Sequence, residues 1–259
     1  MANKMFDLSG KVAVVTGGSR GIGRSICENM ARAGARVVVS SRKLPACEEV
    51  VAAIKREGGE ATAVQASISD KAQLERLVGE ARKAYGKIDI LVCNAAANPY
   101  YGPLKDLPDD AFMKIMQNNV LSNLWLCNMV CPEMAERKDG SVIIVSSIGG
   151  LIGSKVLAAY GMSKAADFSL CKSLAMEWGK SNVRVNVIAP GLIKTDFAKA
   201  LWSNPVILKQ METGSPLGRI GEPDDIGGVA VFLASKAAAF VTGQTIIADG
   251  GVTSSGGES

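Results

Sequence analysis

Tyr160 and Lys164, in the stretch YGMSK, stand four positions apart in a segment patterned as helix. Residues at i and i+4 share one helix face, so the lysine ammonium can stand beside the tyrosine hydroxyl. A cation there stabilises phenolate, and a phenol so placed can give a proton to a nascent alkoxide or take one from an alcohol. Upstream, VIIVSS ends on Ser147, whose hydroxyl can hydrogen-bond a carbonyl oxygen. The chain has no histidine. That removes Ser-His-Asp and Cys-His nucleophile chemistry and most catalytic zinc sites, and leaves proton transfer to Tyr, Lys, Asp, Glu or Cys.

A second cluster lies near the N-terminus. VVTGGSRGIGRSI sets Gly17, Gly21 and Gly23 between a strand and a helix, with Ser19, Arg20 and Ile22 among them. Glycines in that context permit a tight turn and let backbone N–H groups approach a pyrophosphate at the helix N-terminus. Sites for NAD place Asp or Glu at the end of the next strand, against the ribose 2′-hydroxyl. Here that position reads Ser41-Arg42-Lys43. A hydroxyl and cations would hold a 2′-phosphate, with Arg20 as a further cation, so NADP(H) is expected over NAD(H).

These residues need a frame. Short β-branched runs at 11–17, 35–41, 60–66, 88–96, 140–147, 183–191 and 244–251 read as seven strands, buried on both faces. Helical patterns at 21–33, 45–57, 70–85, 108–136, 158–179 and 224–237 alternate with them. The alternation implies an α/β fold of three layers, a doubly wound seven-stranded parallel sheet, in one domain over 1–259. The stretch 192–222 lacks clear pattern and follows a strand's carboxyl end, which suits a substrate loop. Residues 254–259 read as a flexible tail.

Composition narrows the partners. The net charge of +4 comes without long basic runs or interleaved aromatics, which argues against nucleic acid. No apolar run is long enough to span a bilayer, and the polar N-terminus offers no secretory leader. Cys27, Cys47, Cys93, Cys127, Cys131 and Cys171 lack framework spacing, which fits buried thiols in a cytoplasmic protein and no metal site.

Taken in order, TGxxxGxG at Thr16–Gly23, Asn94-Ala95-Ala96, Asn119 in NNV, Ser147, YxxxK at Tyr160–Lys164, and Pro190-Gly191 form a specific set. Across residues 8–252 the chain resembles a classical short-chain dehydrogenase/reductase. The resemblance implies Tyr160 as general acid/base, Lys164 also on the nicotinamide ribose, Ser147 on the substrate carbonyl, and Asn119 holding a proton-relay water. It also implies cofactor contacts from Gly17, Ser19 to Gly23, Ser41 to Lys43, Ser67, Ile68, Asn94 to Ala96, Tyr160, Lys164, Pro190 and Gly191. Ile193 and Thr195 would meet the carboxamide. Two positions depart from the family pattern: Ala95 and Ala97 stand in the usual Asn-Asn-Ala-Gly, and Ser67 replaces an Asp that often meets adenine.

Within the family, NAAANPYYG (94–102), IVSSIGG (144–150), APGLIKT (189–195) and LGRIGEPDD (217–225) resemble the NADP-dependent carbonyl/retinal reductase branch. A small apolar carbonyl or secondary alcohol is then the expected substrate, with Tyr100, Tyr101, Leu151, Ile152, Trp202 and Leu208 as pocket residues or ordinary packing. A 3-oxoacyl thioester reductase or an alcohol dehydrogenase of the same family is the alternative. A catalytically silent dinucleotide-binding protein would need none of Ser147, Tyr160 or Lys164. The resemblance further implies a homotetramer, with a dimer second, built through helices 108–136 and 158–179 and the last strand. Leu124, Trp125, Leu126 and Met129 give the first of these helices more apolar surface than one core-facing stripe needs.

Overall fold

The computed structural model describes residues 4–254. The β-branched runs form strands β1 (Val12–Thr16), β2 (Arg36–Ser41), β3 (Glu60–Gln65), β4 (Ile90–Cys93), β5 (Gly140–Val145), β6 (Val183–Pro190) and β7 (Thr245–Ala248). They make one parallel sheet in the order β3-β2-β1-β4-β5-β6-β7. Successive side chains on a strand point to opposite faces. Ala13 and Val15 of β1 therefore enter one core, and Val14 enters the other. Strands β1, β4 and β5 are buried along their whole length, hence their unbroken apolar sequences.

The helices are α1 (Gly21–Arg32), α2 (Leu44–Arg56), α3 (Lys71–Tyr85), α4 (Asp109–Met116), α5 (Ser122–Glu136), α6 (Ala158–Trp178), α7 (Lys199–Trp202), α8 (Pro205–Thr213) and α9 (Pro223–Ala234). Ile26 and Met30 of α1, Val50 and Ile54 of α2, and Ile226 and Leu233 of α9 cover one face of the sheet. Leu74 and Leu77 of α3, Leu126 and Val130 of α5, and Leu174 of α6 cover the other. This is the three-layer, doubly wound architecture the alternation implied. All six cysteines are free and buried. Among the described residues no group of His, Cys, Asp or Glu is arranged to hold a metal, and no helix is long and apolar enough to cross a membrane.

Four expectations change. The helix read as 108–136 is two helices joined by a π turn over Gln117–Leu121. A π turn widens the helix by one residue and rotates the succeeding turns; here Asn118 and Asn119 are buried within it. The stretch 192–222 is not patternless: it holds a short 3₁₀ turn at Asp196–Ala198, then α7 and α8. Asn204 caps α8, its side chain accepting from the amides of Val206 and Ile207 ahead of Pro205 at the first turn. Ser254, expected in the tail, closes a 3₁₀ turn at Val252–Ser254; the remainder of the expected tail, 255–259, lies outside the described residues. Strand β4 also stops at Cys93, so Asn94 to Ala96 lie in the loop beyond it.

Candidate active site

The glycine turn is built by backbone proximity. A Cβ added to Gly23 would stand 2.2 Å from the carbonyl oxygen of Gly17, so only glycine allows α1 to start this close to the end of β1. The Thr16 hydroxyl, at the end of β1, accepts from the amides of Asn94 (3.1 Å) and Ala95 (3.2 Å) and donates to the Val92 carbonyl (3.3 Å). The Asn94 side-chain amide donates back to the carbonyls of Thr16 (2.9 Å) and Gly17 (3.3 Å). The ends of β1 and β4 are thereby stapled behind the turn. Helix α1 has no side-chain cap and no acid in its first turn. Its opening amides and dipole suit an anion such as a pyrophosphate.

Ser41 closes β2, its hydroxyl accepting from the Lys43 amide at 3.3 Å and lying 3.1 Å from the Cys47 sulfur. Arg42 and Lys43 are exposed, and no carboxylate occupies this strand end. Arg20 is also exposed, and its guanidinium lies 3.6 Å from the Asp196 carboxylate in the stretch 192–222. At the next strand end the Ser67 amide donates to Gln73 (2.9 Å), its hydroxyl pairs with that of Ser69 (2.8 Å), and Ile68 packs on the adjacent core. Ser19 and Ile22 are half-buried within the turn.

The second cluster forms where β5 hands over to α6. Ser147 follows β5, and its Oγ accepts from the Gly149 amide at 3.0 Å. A Cβ built on Gly149 would stand 3.3 Å from Ser147 Oγ and 3.9 Å from Tyr160 Cδ1, so these two hydroxyl-bearing side chains flank one glycine. Lys164, 2% exposed, donates to the Val145 carbonyl at 3.0 Å and to Asp167 Oδ2 at 3.3 Å. Its Nζ lies 5.6 Å from the centroid of the Tyr160 ring, as the shared helix face required. Burial pushes the Lys164 pKa down, but the charges of Asp167 and Tyr160 and the Asp167 hydrogen bond together lift it above the ordinary lysine value.

Asn119 is wholly buried, and both polar atoms of its side chain are hydrogen-bonded. Its Oδ1 accepts from the Ala97 amide (2.8 Å), and its Nδ2 donates to the Ala97 carbonyl (3.0 Å) and to Ser163 Oγ (3.0 Å). It braces the loop after β4 against α6. Its own carbonyl accepts from Asn123 Nδ2 at 2.7 Å.

The loops after β4, β5 and β6 are each fixed by a few bonds. The Gly102 amide donates to the Val156 carbonyl at 2.9 Å, which ties 98–102 to 148–157. From β6, the Gly191 amide donates to Ala248 (3.0 Å) and buried Ile193 bridges Gly221. The Thr195 carbonyl accepts from Trp202 Nε1 at 2.7 Å. A Cβ on Gly21 would lie 3.0 Å from Thr195 Cγ2, which brings this loop against the glycine turn. The Phe197 ring stands 6.2 Å from that of Tyr160. Tyr101, Leu151, Ile152 and Phe197 are all exposed apolar groups. A cavity of about 530 Å³ beside β7 touches neither Ser147 nor Tyr160, and its acids are spent, Asp225 on Arg219 and Asp249 on Thr253.

Sequence reasoning passed over Phe197, Asn123, Ser163 and Asp167. An acid in the apolar run AADFSL, three residues beyond Lys164, was the available signal for Asp167.

The sequence model of a family described as enoyl-(acyl carrier protein) reductase matches residues 17–253. Dehydrogenase/reductase SDR family member 4 of Bos taurus is 42% identical over 244 residues, covering 94% of this chain and 88% of that protein. A solved 7α-hydroxysteroid dehydrogenase, complexed with NADH and 7-oxo glycochenodeoxycholic acid, is 37% identical with a TM-score of 0.93, covering 97% of this chain and 98% of its own. A gluconate 5-dehydrogenase from Burkholderia cenocepacia, in complex with NADP and tartrate, is 31% identical with a TM-score of 0.92 over 97% and 98%.

Proposed function

The chain belongs to the short-chain dehydrogenase/reductase family and is an NAD(P)-dependent oxidoreductase of carbonyl and alcohol groups; from that premise we propose an NADP(H)-dependent carbonyl reductase of small apolar substrates. The observation that carries this reading is the apposition of Ser147 and Tyr160 around Gly149, with the buried Lys164 beside the phenol ring. The cofactor choice is supported by Ser41-Arg42-Lys43, where cations stand and a carboxylate does not.

The residues present fit a dinucleotide. The amides from Gly17 to Gly23 would hold the pyrophosphate, Arg42 and Lys43 the 2′-phosphate, and Lys164 the ribose hydroxyls beside the nicotinamide. Arg20 would join the 2′-phosphate, since its exposed pairing with Asp196 is weak. Ser67, Ile68 and Asn94 to Ala96 would border the adenosine side, and Pro190, Gly191, Ile193 and Thr195 the carboxamide end. When bound, the cofactor supplies the hydride. Ser147 donates a hydrogen bond to the substrate oxygen as negative charge develops there. Tyr160 gives that oxygen its proton, and Lys164 stabilises the phenolate left behind. Asn119 would hold the water that resupplies the proton. In the oxidative direction the same groups act in reverse.

The exposed apolar groups Tyr101, Leu151 and Ile152 on the tied loops 98–102 and 148–157, with Phe197 beside Tyr160, support a neutral, apolar substrate. The description of the matching family model favours one second reading, an acyl-thioester substrate. A panel of ketones, aldehydes and diketones, together with a 3-oxoacyl thioester, scored with NADPH and then NADH, separates them. Higher kcat/KM for NADPH on a ketone or diketone is expected. Equal or better turnover with NADH removes the cofactor choice, and a preferred thioester removes the substrate class.

Assembly and location belong to the same reading. Of the four residues expected to give α5 excess apolar surface, Leu126 is instead wholly inside the core, and Trp125 and Met129 pack against it. The apolar surface lies elsewhere, at Met113, Leu121, Met162, Met176, Phe240 and Ile247, and supports a homotetramer. Light scattering should return four times the 27.0 kDa chain, and a monomer would overturn the assignment. Six buried free thiols support a reducing, cytoplasmic setting.

A further inference from the structure

Helix α6 buries a carboxylate that the reaction does not use. Asp167 is wholly inside the protein, where an ionised acid is costly unless it is paired and hydrogen-bonded. It has both kinds of partner. Its Oδ2 accepts from Lys164 Nζ at 3.3 Å, and its Oδ1 accepts from Asn123 Nδ2 at 3.1 Å. The same Asn123 amide donates to the Asn119 carbonyl at 2.7 Å, which links the pair to the π turn. Asn119, Asn123, Lys164 and Asp167 are all buried. Of the two acceptors that Lys164 Nζ meets, removal of Asp167 would leave the neutral Val145 carbonyl. Burial would then favour the amine, which cannot stabilise a phenolate.

We propose that Asp167 is the resident counter-ion of Lys164, a positioning residue whose carboxylate, fixed by Asn123, keeps the ammonium charged and aimed at Tyr160. The titratable groups facing the pair are Tyr160 and Cys171 on α6 itself and Cys93 at the end of β4. Strand β5 presents only the Val145 carbonyl and the Ser146 hydroxyl. Burial holds the Asp167 carboxyl above its usual range, while the charge of Lys164 and the bonds from Asn123 and Lys164 pull it back toward the ionised form. The inference rests on the proposed roles of Tyr160 and Lys164.

The test uses the Asp167→Asn variant, which keeps the shape and removes the charge. In apoprotein carrying ¹³C-labelled lysine, the Lys164 Cε resonance, assigned with Lys164→Met, is followed against pH. Burial then loses its main opponent, so the Lys164 midpoint should fall by about one pH unit or more. In the enzyme, the inflection for alcohol oxidation should move to higher pH, because a neutral Lys164 no longer supports the phenolate. A Lys164 midpoint that stays or rises overturns the proposal, as does an inflection that stays or falls. Should Asp167→Asn fail to fold, Asn123→Ala carries the test: it frees Asp167 Oδ1 and should lower the midpoint by a smaller step, and no step overturns the proposal. In a Lys164→Met background, Asp167→Leu should leave the pH profile where it was; a further shift would mean that Asp167 does not act through Lys164. Near-normal kcat in Tyr160→Phe would remove the reading of the site itself, whereas an unmoved Lys164 resonance removes only this inference.

Discussion

Between β1 and α1 the chain is held by contacts of backbone on backbone, with a Cβ at Gly23 placed 2.2 Å from the Gly17 carbonyl and a threonine hydroxyl and an asparagine amide stapled behind. Between 196 and 213 it is held by single bonds, such as Trp202 Nε1 to Thr195 at 2.7 Å and the Asn204 cap, and it shows solvent Phe197, Val206 and Met211. The first region leaves no room to vary and, in the proposed reading, holds a dinucleotide by its backbone geometry. The second presents apolar surface that can be altered without disturbing the sheet. Tyr160 meets the second region through Phe197, and Lys164 lies buried beside its ring.

That contrast can be broken at graded strength. Lys164→Ala should do the most damage, lowering kcat by about 10²-fold or more and weakening cofactor binding as well, because one ammonium serves both. Steady-state rates with a fluorescence titration of NADPH check both halves. Gly23→Ala should then raise the Kd for NADPH by about 10²-fold, the cost of moving the turn by a fraction of a residue, while leaving the cores intact. Unchanged affinity there would mean that the close approach is not needed. Arg42→Ala should cost about tenfold to about 150-fold in NADPH affinity, from the about 1.5–3 kcal/mol of a charge-assisted hydrogen bond, and almost nothing with NADH. Equal losses with both cofactors would move the 2′-phosphate away from β2. The smallest effect belongs to the loop: Phe197→Ala should raise KM for an apolar ketone about twofold to about tenfold, the worth of an aromatic contact, with kcat retained.

The same contrast explains what could be read in advance. The doubly wound sheet was legible because its strands are buried on both faces and so carry unbroken Val and Ile runs, and the glycine turn because steric demands dictate its spacing. Tyr160 and Lys164 were legible because helical spacing alone places them together. The π turn at Gln117–Leu121 was not, since one extra residue leaves the helical pattern of NNVL undisturbed. Asn204-Pro205 is a readable helix start within a stretch that otherwise lacks periodicity. Asp167 was missed for a physical reason: a lone acid on a helix is ordinarily solvated, and only the packing of α5 against α6 shows that this one faces inward. Phe197 was missed because an exposed aromatic in a loop carries no periodicity.

The central claim is that one phenol moves the proton while the glycine turn and the cations at the end of β2 only bind. Tyr160→Phe tests it most directly, with single-turnover reduction of a ketone and the NADPH Kd measured on the same preparation. The expected result is a fall in the chemical rate of about 10²–10⁴-fold, with a Kd within about twofold of the parent enzyme. A near-normal rate, or a rate and an affinity that fall together, would contradict it.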